Sequence, residues 1–191
     1  MRKVLLLGAS GNIGVQSLDI FERDRESFEL VGISVGKQTE VIEDILKRFP
    51  SIVGVYCIDQ EFAKKLKEKH QTLHVFSGDN GLSELIKDSP CDMVENALVG
   101  FSGLIPSITA LEENKILCLA NKESLVVAGD LVNKLLDEGH GKMWPIDSEH
   151  VAIAKCLSQV NPDDVEKIIE CALQAPSWKA LICGHRLNSF R

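Results

Sequence analysis

The sequence lacks the features that mark membrane, zinc-binding and nucleic-acid-binding proteins. None of its apolar runs approaches the ~18 residues of a membrane span. Six cysteines occur among the 191 residues, at positions 57, 91, 118, 156, 171 and 183, but no two form a C-x-x-C pair. We therefore expect reduced, buried thiols rather than a zinc site. Basic residues are not in excess, since 21 Lys and Arg face 28 Asp and Glu; the net charge of −7 argues against nucleic acid or an anionic membrane as the main partner.

Short apolar runs alternate with amphipathic stretches from the N-terminus onward. The first run, Val4–Leu7, is too short for the apolar core of a signal peptide and is followed at once by a glycine, so it is a predicted strand of a cytoplasmic protein. Strands are predicted over Lys3–Leu7, Glu29–Val35, Ile52–Cys57, Leu73–Phe76, Met93–Asn96, Ile116–Leu119 and Lys142–Pro145. Helices are predicted over Asn12–Phe21, Glu40–Phe49 (capped by Thr39), Gln60–Lys69, Gly81–Lys87, Leu104–Glu113 and Leu125–Glu138.

This alternation predicts an α/β fold. Strands too apolar to be half-exposed indicate a doubly wound, mostly parallel sheet that helices cover on both faces. We expect this domain to span residues 1–147, and residues 148–191 to begin a second domain. After Glu170 the sequence carries no acidic residue and shows no clear periodicity. Ligands of such sheets bind at the carboxyl ends of the strands, so the loops there are the candidate sites.

A glycine-rich loop follows the first predicted strand. Gly8, Gly11 and Gly14 would allow a tight turn, a close approach to phosphates and close helix–strand packing, while Ser10 and Asn12 could add hydrogen bonds. The helix that follows is expected to bury Ile13, Leu18 and Phe21. Glycines also punctuate ordinary turns, but the strand–loop–helix context favours a Rossmann-like dinucleotide site.

The end of the second strand indicates which dinucleotide binds. NAD enzymes place Asp or Glu there to hold the ribose 2′-hydroxyl, whereas this chain has Ser34-Val-Gly-Lys37-Gln38. Glu29 lies at the other end of the strand. Lys37 would attract a 2′-phosphate, which favours NADPH over NADH; the alternative is a solvated turn lysine.

Two later clusters of polar residues also follow predicted strands. Asn121-Lys-Glu-Ser124 could contact a cofactor or a substrate oxygen, or could be an ordinary helix start with an exposed Lys–Glu pair. Asp147 and Glu149 could bind Mg²⁺ or Mn²⁺ through their carboxylates. Alternatively, Asp147 or Ser148 could cap a helix over Glu149–Leu157, with Glu149 in a favourable position for the helix dipole. His150 is expected to be a structural or solvent-facing helix residue rather than a ligand.

Together these motifs closely resemble the 1-deoxy-D-xylulose-5-phosphate reductoisomerase family. The resemblance runs from Met1 to about Ile169 and rests on Leu-Gly-Ala-Ser-Gly-Asn-Ile-Gly (7–14), Gly36-Lys37, Ala-Leu-Val-Gly (97–100) with Gly103-Leu104, Leu-Ala-Asn-Lys-Glu-Ser-Leu-Val (119–126) and Pro-Ile-Asp-Ser-Glu-His (145–150). Asn-Lys-Glu-Ser followed by Asp-Ser-Glu-His is the most specific combination. Gln38 departs from the family, which often has Asn at this position.

The resemblance implies a role for each motif. It assigns NADPH binding to Ser10, Gly11, Asn12, Ile13, Gly36, Lys37, Gln38, Asn121 and Glu123. It assigns substrate binding to Lys122, Ser148 and Glu149, and Mn²⁺ or Mg²⁺ to Asp147 and Glu149.

The resemblance also implies an activity, the NADPH- and metal-dependent conversion of the phosphosugar 1-deoxy-D-xylulose 5-phosphate into 2-C-methyl-D-erythritol 4-phosphate in isoprenoid biosynthesis. Family members are homodimers and about twice as long, and most of the family's dimer surface is expected to lie in the part that has no counterpart here. From about residue 170 the sequence departs from the family, as after a truncation or frameshift, so no catalytic set is expected to be complete. The alternative function is a catalytically inactive NADP-binding fragment.

Overall fold

A seven-stranded sheet with helices on both faces forms the body of the protein. The computed structural model describes residues 1–161, 164 and 165. The strands are β1 (Arg2–Leu7), β2 (Phe28–Val35), β3 (Gly54–Cys57), β4 (His74–Phe76), β5 (Met93–Asn96), β6 (Ile116–Leu119) and β7 (Lys142–Pro145). The helices are α1 (Asn12–Arg23), α2 (Ile42–Arg48), α3 (Gln60–Lys69), α4 (Gly81–Asp88), α5 (Leu104–Glu112), α6 (Lys122–Asp137) and α7 (Ser148–Leu157).

The strand order is β4-β3-β2-β1-β5-β6-β7, and every strand pair in the described part of the chain is parallel. This confirms the predicted doubly wound α/β fold. The chain moves outward from β1 in one direction through β4, returns to the other side of β1, and continues outward through β7. The order therefore reverses between β1 and β5, where sheets of this kind bind ligands.

Strand β1 shows why the predicted strands are almost wholly apolar. Its Val4 and Leu6 side chains join one core, with buried residues of α1, α2 and α3. Leu5 and Leu7 join a second core, with buried residues of α4, α5 and α6. Because successive side chains point to opposite faces, a central strand covered on both sides must be apolar at every position.

The chain divides into two compact units, Met1–Ile146 and Asp147–Arg191. Helix α7 belongs to the second unit, and the predicted departure from the family after about residue 170 lies outside the described residues.

The prediction of buried thiols is confirmed for the cysteines at positions 57, 91 and 118, whereas Cys156 is exposed. Cys171 and Cys183 lie outside the described residues. Within the described part, no helix combines the length and apolarity that crossing a membrane requires.

The predicted Glu40–Phe49 helix is wrong at both ends. Thr39 does not cap it, because Thr39–Val41 form a 3₁₀ turn that precedes α2. At the other end Phe49 lies outside the helical region, with φ −127° and ψ 78°. The following Pro50 accounts for this, since a proline ring disfavours helical dihedrals in the residue before it.

Helix α6 begins three residues before the predicted Leu125. Asn121 caps it by accepting a hydrogen bond from the Ser124 N–H at 2.9 Å, so Lys122 and Glu123 form its first turn. Farther along, non-helical dihedrals at Ala128 (φ −136°, ψ 31°) kink the helix.

The backbones of β1, the glycine loop and α1 approach one another closely where the strand passes into the helix. Gly8 has φ +86°, a conformation that side chains disfavour, and a Cβ there would lie 2.8 Å from the Ala97 carbonyl oxygen. A Cβ on Gly14 would lie 2.2 Å from the Gly8 carbonyl oxygen, so only glycine permits this approach of α1 to the loop. The sequence prediction that Gly14 allows close packing is confirmed.

A buried acid links this junction to β5. Glu95 is 7% exposed, and burial raises its pKa more than the hydrogen bond from Ser17 lowers it. The Ser17 hydroxyl lies against Glu95 Oε1 and 3.1 Å from the Ile13 carbonyl oxygen. A hydroxyl has a single proton, so Ser17 can donate to only one of these two acceptors at a time.

We expect Gly14→Ala to lower the free energy of unfolding by about 1–3 kcal/mol, because its methyl group must displace backbone rather than a movable side chain. Urea denaturation checks this. Gly129→Ala is the matched control: nothing lies within 4 Å of its Cβ position, so the better helix former should leave stability unchanged or raise it. Equal stability of Gly14→Ala and the parent protein would contradict the close-approach argument.

We expect Glu95→Gln to gain stability relative to the parent protein as pH rises. The folded protein holds the Glu95 proton more tightly than the unfolded chain does, and this difference contributes to the free energy of unfolding. The contribution is complete below the pKa of Glu95 in the unfolded chain. It is lost as pH rises through the pKa of Glu95 in the folded protein, by at most ~1.4 kcal/mol per pH unit. Urea midpoints between pH 4 and 8 measure the difference. Glu84→Gln, on the exposed face of α4, should show no such trend. A pH-independent difference for Glu95→Gln would show that Glu95 does not hold its proton.

Candidate functional site

Four loops line the carboxyl edge of the sheet and are joined to one another by backbone hydrogen bonds. The Gly8 and Ala9 N–H groups donate to the Ser34 carbonyl oxygen, at 3.1 and 2.9 Å. The Ala97 N–H donates to Leu7 (2.9 Å) and the Ala120 N–H to Asn96 (3.0 Å). We call this row, residues 34–38, 8–13, 97–103 and 120–124, the carboxyl-edge ledge. It brings together all the predicted cofactor residues of the first unit.

The glycine loop supplies the ledge with backbone donors. Gly11 is the N-cap of α1 and provides no side-chain cap, so the N–H groups of the first turn have no partner within the helix. They lie at the positive end of the helix dipole, beside exposed Gly11 and Asn12 and half-buried Ser10. This is an arrangement that binds phosphates.

Ile13 is not the core residue that the helical pattern predicts. Its side chain is 40% exposed, while Leu18 and Phe21 are buried as expected. Ile13 lies in the first turn of α1, directly after the glycine loop. An apolar side chain exposed at this place is available to a ligand on the ledge.

Gly36, Lys37 and Gln38 follow β2 and are exposed. Ser34, two residues before Gly36, ties this turn to the glycine loop, because its hydroxyl accepts the Gly8 N–H at 2.9 Å. Within the part of the chain that the structure describes, the Lys37 ammonium has no ion-pair partner. Its charge is thus free to meet an anion beside the glycine loop.

Asn121 is almost completely buried, with 1% of its surface exposed. Its Oδ1 accepts from the Ser124 N–H and hydroxyl, and its Nδ2 donates to the carbonyl oxygens of Leu98 and Gly100, each at 2.8 Å. The Asn121 amide is therefore fully used within the protein, and only the Asn121 backbone is left for the predicted cofactor contact. Lys122 and Glu123, by contrast, are exposed on the first turn of α6.

The sequence analysis assigned no role to Asn96, which ends β5. It is fully buried, accepts the Leu98 N–H at 3.2 Å and donates to the Gly103 carbonyl and the Ser107 hydroxyl, each at 2.8 Å. A polar residue at the end of an apolar strand was the available signal. Ser34 and Glu95, also polar residues in buried strands, carried the same signal.

In the second unit, Asp147 is the N-cap of α7. Its Oδ1 accepts the His150 N–H at 3.0 Å, and both its oxygens lie within 2.9 Å of the His150 ring nitrogen. Burial raises the pKa of Asp147, but these hydrogen bonds lower it more, so the carboxylate stays ionised. The helix-cap alternative is thus correct for Asp147, and it does not exclude metal binding.

Ser148 and Glu149 are exposed on the first turn of α7, where the Ser148 hydroxyl donates to Glu149 Oε2 at 2.9 Å. Asp147 and Glu149 provide carboxylate oxygens of the kind that Mg²⁺ and Mn²⁺ prefer. Among the residues that the structure describes, no group of three or more acidic, His or Cys side chains could hold a metal ion. The donor chemistry fits such a cation, and two carboxylates form part of a coordination sphere.

The ledge also fits a dinucleotide. The close approaches at Gly8 and Gly14 leave the N–H groups in the first turn of α1 open. Gly36 is exposed and has no atom within 4 Å of its Cβ position. Lys37, which has no ion-pair partner among the described residues, lies where a carboxylate would select NAD. The arrangement can bind a pyrophosphate at the glycine loop and a further phosphate at Lys37.

Comparison with known proteins agrees with this geometry. The family model described as 1-deoxy-D-xylulose 5-phosphate reductoisomerase matches residues 4–129. The reductoisomerase of that name from Thermoanaerobacter pseudethanolicus is 37% identical over 178 residues, which are 92% of this chain and 46% of that protein. The one from Caldanaerobacter subterraneus subsp. tengcongensis is 39% identical over the same shares. The chain thus spans about half the length of the curated relatives it matches.

Solved structures give the same result. The 1-deoxy-D-xylulose 5-phosphate reductoisomerase from Zymomonas mobilis in complex with NADPH is 31% identical with a TM-score of 0.78, over 87% of this chain and 44% of that one. A DOX-P reductoisomerase in complex with NADPH, fosmidomycin and magnesium is 32% identical with a TM-score of 0.76, over 82% and 39%. Since the family model also covers more than half of the sequence, the chain belongs to the 1-deoxy-D-xylulose 5-phosphate reductoisomerase family.

Proposed function

We propose that the chain binds NADPH and forms the cofactor-binding part of an enzyme that converts 1-deoxy-D-xylulose 5-phosphate into 2-C-methyl-D-erythritol 4-phosphate. The observation that carries the proposal is the carboxyl-edge ledge, in which the open first turn of α1 lies beside the unpaired Lys37. Family membership supports the reaction, and the relatives crystallised with NADPH support the cofactor.

Different residues of the ledge bind different parts of NADPH. The N–H groups of the first turn of α1 bind the pyrophosphate, with the help of Ser10 and Asn12. Lys37, flanked by Gly36 and Gln38, binds the 2′-phosphate of the adenosine half. Since β5 and β6 lie on the other side of β1, the nicotinamide half extends toward Glu123 and the backbone of Asn121. The chemistry that NADPH supplies when bound is a hydride for reduction of an aldehyde phosphate.

The remaining assigned residues act on the substrate and the metal. The exposed ammonium of Lys122 binds a substrate oxygen, and the Ser148 hydroxyl donates to another. Asp147 and Glu149 hold Mn²⁺ or Mg²⁺, with Glu149 also reaching the substrate; the cation supplies Lewis-acid polarisation and orientation of the substrate oxygens. We also propose a cytoplasmic location. Once a family C-terminal half is fused after about residue 169, NADPH oxidation with 1-deoxy-D-xylulose 5-phosphate and Mn²⁺, measured by absorbance, separates this function from that of an inactive NADP-binding chain.

We expect the protein to bind NADPH at least about tenfold more tightly than NADH, because only NADPH carries the phosphate that Lys37 can meet. Lys37→Glu should weaken NADPH binding and reduce the difference between the two nucleotides, since a carboxylate repels the 2′-phosphate. Calorimetric titration of both nucleotides checks this.

Lys87→Glu is the matched control for Lys37→Glu. It makes the same charge change on the exposed side of α4, and it should leave the preference between nucleotides unchanged. Equal affinities of the unmodified protein for NADPH and NADH would refute the role of Lys37, and a folded protein that binds neither would refute the proposed function.

We expect Asp147→Asn to abolish Mn²⁺ binding while leaving the fold intact, because asparagine is an equally good N-cap but a much poorer ligand for a hard cation. Titration followed by Mn²⁺ electron paramagnetic resonance measures the binding. Asp59→Asn is the control, since Asp59 caps α3 in the same manner, accepting from the N–H groups of Glu61 and Phe62. Retained Mn²⁺ binding in Asp147→Asn would remove Asp147 from the metal site.

A further inference from the structure

Two buried amides hold the loop that follows β5. Asn96 fixes its two ends, by accepting from the Leu98 N–H and donating to the Gly103 carbonyl. Asn121 fixes its middle, by donating to the carbonyls of Leu98 and Gly100. Both side chains lie below the loop and have at most 1% of their surface exposed.

The fit between this loop and Asn121 is close. A Cβ on Gly103 would lie 2.6 Å from Asn121 Cγ, so the last residue of the loop packs directly on the amide. Every hydrogen-bonding group of the Asn121 side chain has a partner: Oδ1 serves the start of α6, and Nδ2 serves the loop. Neither amide presents a polar atom to a ligand.

The loop itself lies where the second half of a dinucleotide would extend. Ala97, its first residue, receives the close approach of Gly8 and hydrogen-bonds to the end of β1. Lys37 marks the adenosine side, next to β2, so the nicotinamide half passes over the loop after β5. The loop presents the apolar side chains of Val99 (83% exposed) and Phe101 (68%) to solvent, where they are available to a ligand.

We propose that Asn96 and Asn121 are positioning residues, which hold the loop of residues 97–103 in the conformation that receives the nicotinamide half of NADPH. The inference rests on the proposed function and assigns both side chains a role without any contact to the cofactor. A loop fixed before binding loses little conformational entropy when the cofactor arrives, and therefore more of the contact energy becomes affinity. Small displacements of such a loop also shift the ring relative to the substrate.

Asn121→Asp tests the proposal, because it separates the two functions of this side chain. Aspartate remains a good N-cap for α6, but its carboxylate cannot donate to Leu98 and Gly100 and repels their carbonyl oxygens, so the loop is released. We expect NADPH affinity to fall about tenfold, as for the loss of two buried hydrogen bonds. The affinity for adenosine 2′,5′-bisphosphate, which carries only the adenosine side of the cofactor, should not change. Calorimetry gives both constants.

Asn133→Asp is the matched control. It makes the same amide-to-carboxylate change on the exposed side of α6, outside the ledge, so NADPH affinity should stay at the level of the unmodified protein. If Asn121→Asp binds NADPH as tightly as the unmodified protein, or loses affinity for both ligands equally, the positioning role is overturned. Failure of the unmodified protein to bind either ligand would instead overturn the proposed function.

Hydrogen exchange on the unmodified protein provides a second test if Asn121→Asp does not fold. The Leu98 amide should be protected in the free protein, because Asn96 already accepts its hydrogen, and NADPH should add little protection. A Leu98 amide that exchanges freely until NADPH is added would show that the cofactor, rather than the two asparagines, orders the loop.

Discussion

The carboxyl-edge ledge depends on the contact between helix α1 and the end of strand β1. A Cβ on Gly14 would lie 2.2 Å from the Gly8 carbonyl oxygen, so the helix starts in direct backbone contact with the loop it follows. This contact places the first turn of α1, with its unpaired N–H groups, next to the ends of β2 and β5. A side chain at either glycine would move the donors away from both neighbouring loops.

Around this contact the buried polar side chains of the edge are used by the protein itself. Ser34 holds the glycine loop, Asn96 and Asn121 hold the loop after β5, and Ser17 connects α1 to Glu95 on β5. The groups left for a ligand are backbone N–H groups and exposed side chains such as Lys37. Buried polar side chains thus build the shape of the edge, while the exposed ones remain available to a ligand.

The fold could be predicted from the sequence because the spacing of apolar residues along the chain indicates which side chains are buried. Strand β1 is apolar at every central position since it is covered on both faces, and Gly8, Gly11 and Gly14 could be assigned because their spacing reflects a local contact. Ile13 was misplaced, since helical spacing identifies a face of the helix but not how far the sheet extends beneath it. Asn96 and Glu95 were missed because their partners, Gly103 and Ser17, are brought to them only by the packing of strands and helices.

The central place of β1 in the sheet also determines the order in which the chain can fold. Gly8 meets Ser34 across a separation of 26 residues, whereas Lys3 on the other side of the same strand meets Asp92 across 89. Contacts between distant residues close slowly, since the entropy of a long loop is lost before they form. During synthesis the loops after β1 and β2 can therefore assemble well before β5 emerges. The loops after β5 and β6 join them only when β5 docks on β1, so the two halves of the ledge have different folding histories.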